Sequence, residues 1–243
     1  MQKHRLALAV LALSASAVFG HALAAEASPQ ANYQAAINSP ARTDDDRKSD
    51  AKRKPAEFLA FVEAKPGMKV LDLDAGGGTS SALLAAAVGP GGEVWAQGQK
   101  ESPKLQARLA ANKQQNLRAV VTPMENPAKD LPPLDLVVIN MNYHDVVNSP
   151  TDRNAMNKHI YDALKPGGKF VVIDNSAKAG HGLNDTKTLH RIDEATVIEE
   201  VTKAGFKVDS KSDYLRAPSD PREKPFWEMK DQPDDKFAVR FVK

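Results

Sequence analysis

From Pro55 to the carboxyl terminus, short apolar runs alternate with stretches whose apolar residues recur every three or four positions. The runs are VLDL (Val70–Leu73), EVWAQ (Glu93–Gln97), NLRAVVTP (Asn116–Pro123), LDLVVINMNY (Leu134–Tyr143), KFVVIDN (Lys169–Asn175), KVDSKSDYL (Lys207–Leu215) and KFAVRFV (Lys236–Val242). Each reads as a strand. Leu134 to Ile139 is nearly all apolar, as in a strand covered on both faces. Between the runs lie helical patterns. PAEFLAFVEA sets Phe58, Leu59 and Val62 on one face, and SALLAAAV follows a run of three glycines, Gly76 to Gly78. SPKLQARLAANKQQ opens with Ser102 as N-cap and Pro103 at the first helical position. Thr151 to Leu164 is stopped by KPGG, and IDEATVIEEVTKAGF carries Ile192, Ala195, Ile198 and Val201 roughly in register, with Gly205 as its stop. This alternation predicts an α/β fold with a mainly parallel sheet. The last two strands meet through a loop, Arg216 to Asp235, and so predict one antiparallel strand.

The amino-terminal region changes the picture. MQKHR is basic, LALAVLALSASAVFG is apolar and uncharged, and His21-Ala22-Leu23-Ala24 ends in small residues. That pattern predicts a secretory signal peptide over residues 1–24 and a periplasmic or secreted product. No second apolar run of that length follows, so no stable membrane insertion is expected after cleavage. Residues 25–54 read as a partly helical extension and 55–243 as one domain. Within the extension, ARTDDDRKSDAKRKP (Ala41–Pro55) reads either as a solvated helix laced with ion pairs or as a helix covering a pocket with Arg42, Arg47, Arg53 and Lys54. The net charge of +2, with both signs interspersed, predicts no nucleic-acid partner. There is no cysteine, which excludes disulfides and thiolate chemistry.

The strand–glycine–helix segment VLDLDAGGGTSS is the leading candidate for chemistry. It contains no GxxxxGK[ST], so it is not a phosphate cradle, and G-x-G-x-x-G matches at one glycine only. Together, VLDLDAGGG, LDLVVINMNYHD and ALKPGGKFVVID resemble the class I S-adenosylmethionine-dependent methyltransferases. NYHD, LHRID and the stretch from AGF to DSKSDYLR resemble an exported group of bacterial predicted methyltransferases. The resemblance implies a Rossmann-like, doubly wound, mainly parallel seven-stranded sheet with the last strand antiparallel, and S-adenosylmethionine held at the switch point. It implies Asp72 as the acidic residue near the cofactor's amino group, Gly76 and Gly78 as loop glycines, and Asp74 in place of the first glycine. It also places Gln97, or Gln99, where a carboxylate holds the ribose, with Glu101 close by, and Met124 and Glu125 beside the adenine. Asn140 is assigned to the cofactor side of the fourth strand's end.

Beyond Asn140, Tyr143, His144 and Asp145 offer a donor, a base and an orienting carboxylate. His144 is the expected general base for a hydroxyl or amine acceptor. A metal site from His144, His181 and His190 finds no support in the spacing, and none is predicted. His190-Arg191 reads as a substrate contact or a helix-start interaction. The expected function is methyl transfer from S-adenosylmethionine to an oxygen or nitrogen of a small molecule. The alternative is a catalytically degenerate relative that binds another ligand in the periplasm.

Overall fold

The computed structural model describes residues 29–112, 114–230 and 232–243. The leader-like residues 1–24, and 25–28 of the extension, lie outside the described residues. The helices are α1 (Pro29–Ile37), α2 (Asp44–Lys48), α3 (Asp50–Arg53), α4 (Pro55–Val62), α5 (Thr79–Val88), α6 (Pro103–Asn112), α7 (Tyr143–Val147), α8 (Arg153–Ala163) and α9 (Glu194–Lys203). The strands are β1 (Lys69–Leu73), β2 (Glu93–Gly98), β3 (Leu117–Val121), β4 (Leu134–Asn140), β5 (Leu164–Asn175), β6 (Lys207–Ser212) and β7 (Lys236–Val242).

All seven strands form one sheet in the order β3-β2-β1-β4-β5-β7-β6. β1 to β5 run parallel to one another, and β7 inserts antiparallel between β5 and β6. Successive side chains on a strand point to opposite faces, and the two cores follow that period. Val70, Val94, Leu136, Val138 and Val171 join Phe58, Leu59 and Leu84 on the face covered by α1, α4 and α5. Leu71, Leu73, Val137, Ile139, Phe170 and Val172 join Ile160, Val197 and Val201 on the face of α8 and α9. Each fully buried Leu, Val or Phe contributes about 1.5–3 kcal/mol by leaving water, which is why both faces of β4 read as apolar.

Two details depart from the sequence reading. The KPGG segment lies inside β5, whose register on β4 jumps from Leu134↔Leu164 to Leu136↔Lys169 as a bulge. The charged stretch is not one solvated helix but two short ones, with Arg42 and Asp46 buried. A capping box starts the first: Thr43 N–H donates to Asp46 Oδ2 at 2.9 Å, and Thr43 Oγ1 accepts from Asp46 N–H at 3.2 Å.

β1 pairs with β2 on one side and β4 on the other, Leu71 facing both Trp95 and Val137. The chain leaves β1 toward β2 and β3, then returns to β4. The carboxyl ends of β1 and β4 therefore diverge around a crevice, where ligands bind in open α/β sheets.

Candidate active site

The glycine loop forms one wall of that crevice. Asp74 has φ +48°, a left-handed conformation that L-residues rarely adopt, directly after β1. At Gly76, φ +56°, an added Cβ would meet nothing within 4 Å, so its backbone borders open space. At Gly78, φ +76°, an added Cβ would lie 2.7 Å from Leu105 Cδ1, so this glycine admits α6 instead. The charged extension locks the loop from above. Arg108 donates from Nε to Gly77 O at 2.7 Å and forks onto Asp46 at 2.7 and 2.8 Å, while Thr79 Oγ1 donates to Asp46 Oδ1 at 2.9 Å. Burial pushes the Asp46 carboxyl toward protonation, but bonds from Arg108, Thr43 and Thr79 outweigh it and hold the group well below the ordinary carboxylate range.

Beside the loop, a cleft of about 520 Å³ is bounded by Asp74, Gly76, the segment from Ala96 to Pro103, Leu105, Gln106 and Ala119 to Val121. Gln97 stands on its wall, but its amide is engaged at both ends. Oε1 accepts from Asp74 N–H at 3.1 Å, and Nε2 donates to Thr122 O at 2.9 Å. Gln97 thus clips the loop to the end of β3, and Gln99 and Glu101 also line the cleft. Asp72 does not line this cleft. It shares the face of Val70 under α5, is 2 % exposed, and accepts a hydrogen bond from Ser81 Oγ. Met124 is fully buried in the core on the α8 side, because the chain turns inward after β3. Glu125 does not line the cleft; its carbonyl lies 2.7 Å from His159 Nδ1. Asn140 donates to Ser80 Oγ at 3.1 Å and lines a neighbouring cavity.

That second cavity, about 540 Å³, shares a wall with the first: Asn142 Nδ2 donates to Asp74 O at 2.7 Å. His144, Asp145, His190, Tyr214, Phe226 and Trp227 are among its lining residues. α7 begins at Tyr143, so NYHD forms a helical turn rather than extended chain. The turn sends Tyr143 into the core, where its hydroxyl donates to Glu200 Oε2 at 2.8 Å and accepts from Asn157 Nδ2 at 3.0 Å. Burial raises that phenol's pKa further, and Tyr143 takes no part in the site. His144 is fixed by Asp174, at the end of β5, not by Asp145 as its neighbour in sequence. Asp174 accepts from His144 N–H at 2.8 Å and lies 2.7 Å from His144 Nδ1. Nδ1 therefore carries a proton, and Nε2 faces the cavity. Burial lowers the His144 pKa, but the hydrogen bond and charge of Asp174, with the charge of Asp145, raise it above the ordinary 6.5.

His190 completes the arrangement. Its Nδ1 lies 3.2 Å from His144 Nε2, and Asp145 Oδ1 is 3.5 Å from His144 Nε2 and 3.4 Å from His190 Nδ1. His190 and Met141, which both line this cavity, have positive φ, +50° and +71°. Asn175 Nδ2 holds the His190 carbonyl at 3.1 Å, and Trp227 meets the ring edge-on at 4.9 Å. Arg191, by contrast, is fully buried in structural bonds to Ser176 O, Lys224 O and Asp220. His181 pairs with Asp185 at 2.8 Å and is no part of the cluster. Three potential metal-ligating groups do converge, contrary to the reading from spacing, but they are His144, Asp145 and His190. Asp174 and the partnership of Asp145 with His190 escaped sequence reasoning; a carboxylate ending the apolar run of β5 was the available signal.

Comparison with known proteins agrees with this fold. The model of the ubiE/COQ5 methyltransferase family matches residues 52–192. An uncharacterised methyltransferase of Synechocystis sp. is 30% identical over 174 residues, covering 66% of this chain and 75% of that protein. The ubiquinone/menaquinone biosynthesis C-methyltransferase UbiE of Burkholderia vietnamiensis is 33% identical over 126 residues, or 49% of this chain and 47% of that protein. In solved structures the fold recurs in an S-adenosylmethionine-dependent methyltransferase from Aquifex aeolicus, with a TM-score of 0.60 at 17% identity over 89% of this chain and 99% of that one. A family match that spans the glycine loop, the β4 end and His190, on a sheet with its crevice at the β1/β4 switch point, establishes that the chain belongs to the ubiE/COQ5 methyltransferase family.

Proposed function

We propose that this S-adenosylmethionine-dependent methyltransferase modifies an oxygen or nitrogen of a small aromatic anion seated in the cavity over β4 and β5. The observation that carries this reading is His144. Its Nε2 faces the acceptor cavity while Asp174 fixes Nδ1 at 2.7 Å, one shared wall away from the cofactor cleft.

The cleft fits the cofactor. Its volume lies within the range of small-molecule sites, about 300–1,000 Å³. Gly76 leaves room for a ligand at its backbone, Gln99 and Glu101 offer acceptors to ribose hydroxyls, and Leu105 and Val120 supply apolar walls. S-adenosylmethionine, when bound, supplies a methyl group on a sulfonium, ready for in-line displacement. The residues of this chain then orient the acceptor, exclude water and remove a proton, with positioning as the larger contribution. His144 takes that proton at Nε2, and Asp174 stabilises the resulting imidazolium. Tyr214, Phe226 and Trp227 form an aromatic wall, and Lys52, Arg53, Lys230 and Lys236 outnumber Asp145 and Asp234 in the lining. That lining suits a ring bearing a negative charge.

A carbon acceptor is a second reading, favoured by the C-methyltransferase name of the relatives. A phenol methylated at a ring carbon needs the same deprotonation, so product analysis separates the two. Binding without turnover is the remaining reading; Gln97, engaged by backbone, leaves the ribose without the usual strand-end carboxylate. We also place the mature protein outside the cytoplasm, on the leader-like pattern of residues 1–24; an uncleaved amino terminus in the purified native protein would remove that placement. The deciding experiment is calorimetry with S-adenosylmethionine and S-adenosylhomocysteine. Binding of both is expected, and no heat at about millimolar ligand overturns the function.

A further inference from the structure

We propose that His144, Asp145 and His190 bind a divalent transition-metal ion of the zinc type, with its fourth coordination position open to the acceptor cavity.

The distances carry this. A tetrahedral ion bound at about 2.0–2.1 Å holds its ligand atoms about 3.3–3.4 Å apart, whereas an octahedral ion with the same bonds holds adjacent ligands about 2.9 Å apart. The three atoms here, His144 Nε2, His190 Nδ1 and Asp145 Oδ1, are separated by 3.2, 3.4 and 3.5 Å. They form one face of a tetrahedron, and all three residues line the cavity. Two imidazoles and a carboxylate are a donor set suited to zinc and its neighbours.

The surroundings point the same way. A metal-ligating histidine characteristically turns its other ring nitrogen to a carboxylate, which fixes the tautomer and raises its donor strength. Asp174, fully buried, stands 2.7 Å from His144 Nδ1. With its proton on Nδ1, neutral His144 presents a lone pair toward two further lone-pair donors. One N–H from His190 can bridge the 3.2 Å gap, which leaves the half-exposed Asp145 carboxylate 3.5 Å from the same ring nitrogen. A cation satisfies all three. His190 is also held for this purpose, in a left-handed conformation, by Asn175 behind its carbonyl and Trp227 at its ring edge.

The role of the ion, though not its binding, rests on the methyl-transfer reading. An acceptor oxygen completing the tetrahedron would lose its proton to solvent more readily, because the ion stabilises the oxyanion. With the ion bound, His144 Nε2 would be a ligand and could not also take the proton, which would pass to solvent while the ion stabilised the oxyanion.

The test uses the untagged full chain, stripped with EDTA and titrated with Zn²⁺ by calorimetry, then with Co²⁺ by visible absorption. About one equivalent is expected to bind with micromolar or tighter affinity, and Co²⁺ to show the intense bands of a four-coordinate site. Asp174→Asn should weaken Zn²⁺ by about 10–100-fold, and Asp145→Asn or His190→Ala by at least as much, with circular dichroism unchanged. His181→Ala should leave affinity unaltered. Lack of saturable binding by about 1 mM Zn²⁺, or binding indifferent to both Asp145→Asn and His190→Ala, overturns the site. S-adenosylhomocysteine titrated in EDTA separates the two readings. If it binds while Zn²⁺ does not, the metal site fails and methyl transfer stands; Zn²⁺ binding alone gives the reverse.

Discussion

Replacing Asp72 with asparagine should make the protein more stable at alkaline pH than at acid pH, relative to the native chain. Asp72 sits in β1 with 2 % of its surface exposed, accepting a hydrogen bond from Ser81 Oγ. Burial raises its pKa from the ordinary 3.8 to about 7, against the opposing bond from Ser81 and charge of Arg53. Below about pH 4 the carboxyl is protonated in both folded and unfolded chains. Between there and about pH 7 the folded protein keeps the proton and the unfolded chain loses it, so stability falls as pH rises. Above pH 7 the folded protein carries the whole cost of ionisation. A gap of about three pH units at about 1.4 kcal/mol each makes that cost about 4 kcal/mol. Asparagine has the same shape and can accept the Ser81 hydroxyl, but its amide hydrogens lack partners, a pH-independent penalty of about 1–3 kcal/mol. Urea unfolding followed by tryptophan fluorescence reads this well, since Trp95 is buried and Trp227 exposed. Between pH 4 and 8.5 the stability of Asp72→Asn minus that of the native chain should climb by about 4 kcal/mol, with its midpoint between the two pKa values. A difference that moves by less than about 1 kcal/mol across that range refutes the assignment of a buried, reluctantly ionised carboxyl.

Other expectations follow from the same geometry. Arg108→Ala strips the buried Asp46 of its partner and frees the Gly77 carbonyl, so urea unfolding should show a loss of about 3–5 kcal/mol. Because Asp46 is held ionised below the ordinary carboxylate range, its contribution is present above that range and is lost as pH falls through it; the variant should show a shallower acid limb. Glu101→Gln removes the charged acceptor from the cofactor cleft and should weaken S-adenosylhomocysteine binding about tenfold by calorimetry, where Asp72→Asn should change it little. With an acceptor identified, His144→Gln should lower turnover by about 10²–10⁴-fold while leaving cofactor affinity intact in single-turnover and binding assays.

The parts legible in the sequence were those governed by local periodicity. Strands repeat every second residue and helices every three to four, and neighbours along the chain enforce both, so the seven strands and their mainly parallel order could be read from VLDL, LDLVVIN and KFAVRF. The glycine loop was legible for the same reason, since positive φ at Gly76 and Gly78 is a property of single residues. What escaped depends on contacts between distant residues. Arg108 lies 62 positions beyond Asp46, and nothing in DDDRK separates a solvated charge run from a buried lock. Gln97 occupied the expected strand-end position, yet the amide turned to Asp74 N–H and Thr122 O. The NYHD motif shows how one local choice propagates. As extended chain it would send Tyr143 and Asp145 to the same side, opposite His144. As the first turn of α7 it steps by about 100° per residue, which buries Tyr143 and leaves His144 and Asp145 together on the cavity rim. Asp174 becomes the orienting carboxylate because β5 pairs with β4 in the register Asn140↔Ile173, which carries the next β5 residue just past the point where β4 ends and α7 begins. The pairing of His144 with Asp174 is thus set by sheet register rather than by adjacency. Asp145, released from orienting His144, is free to face His190, and it is that freedom which brings three ligating atoms to one point.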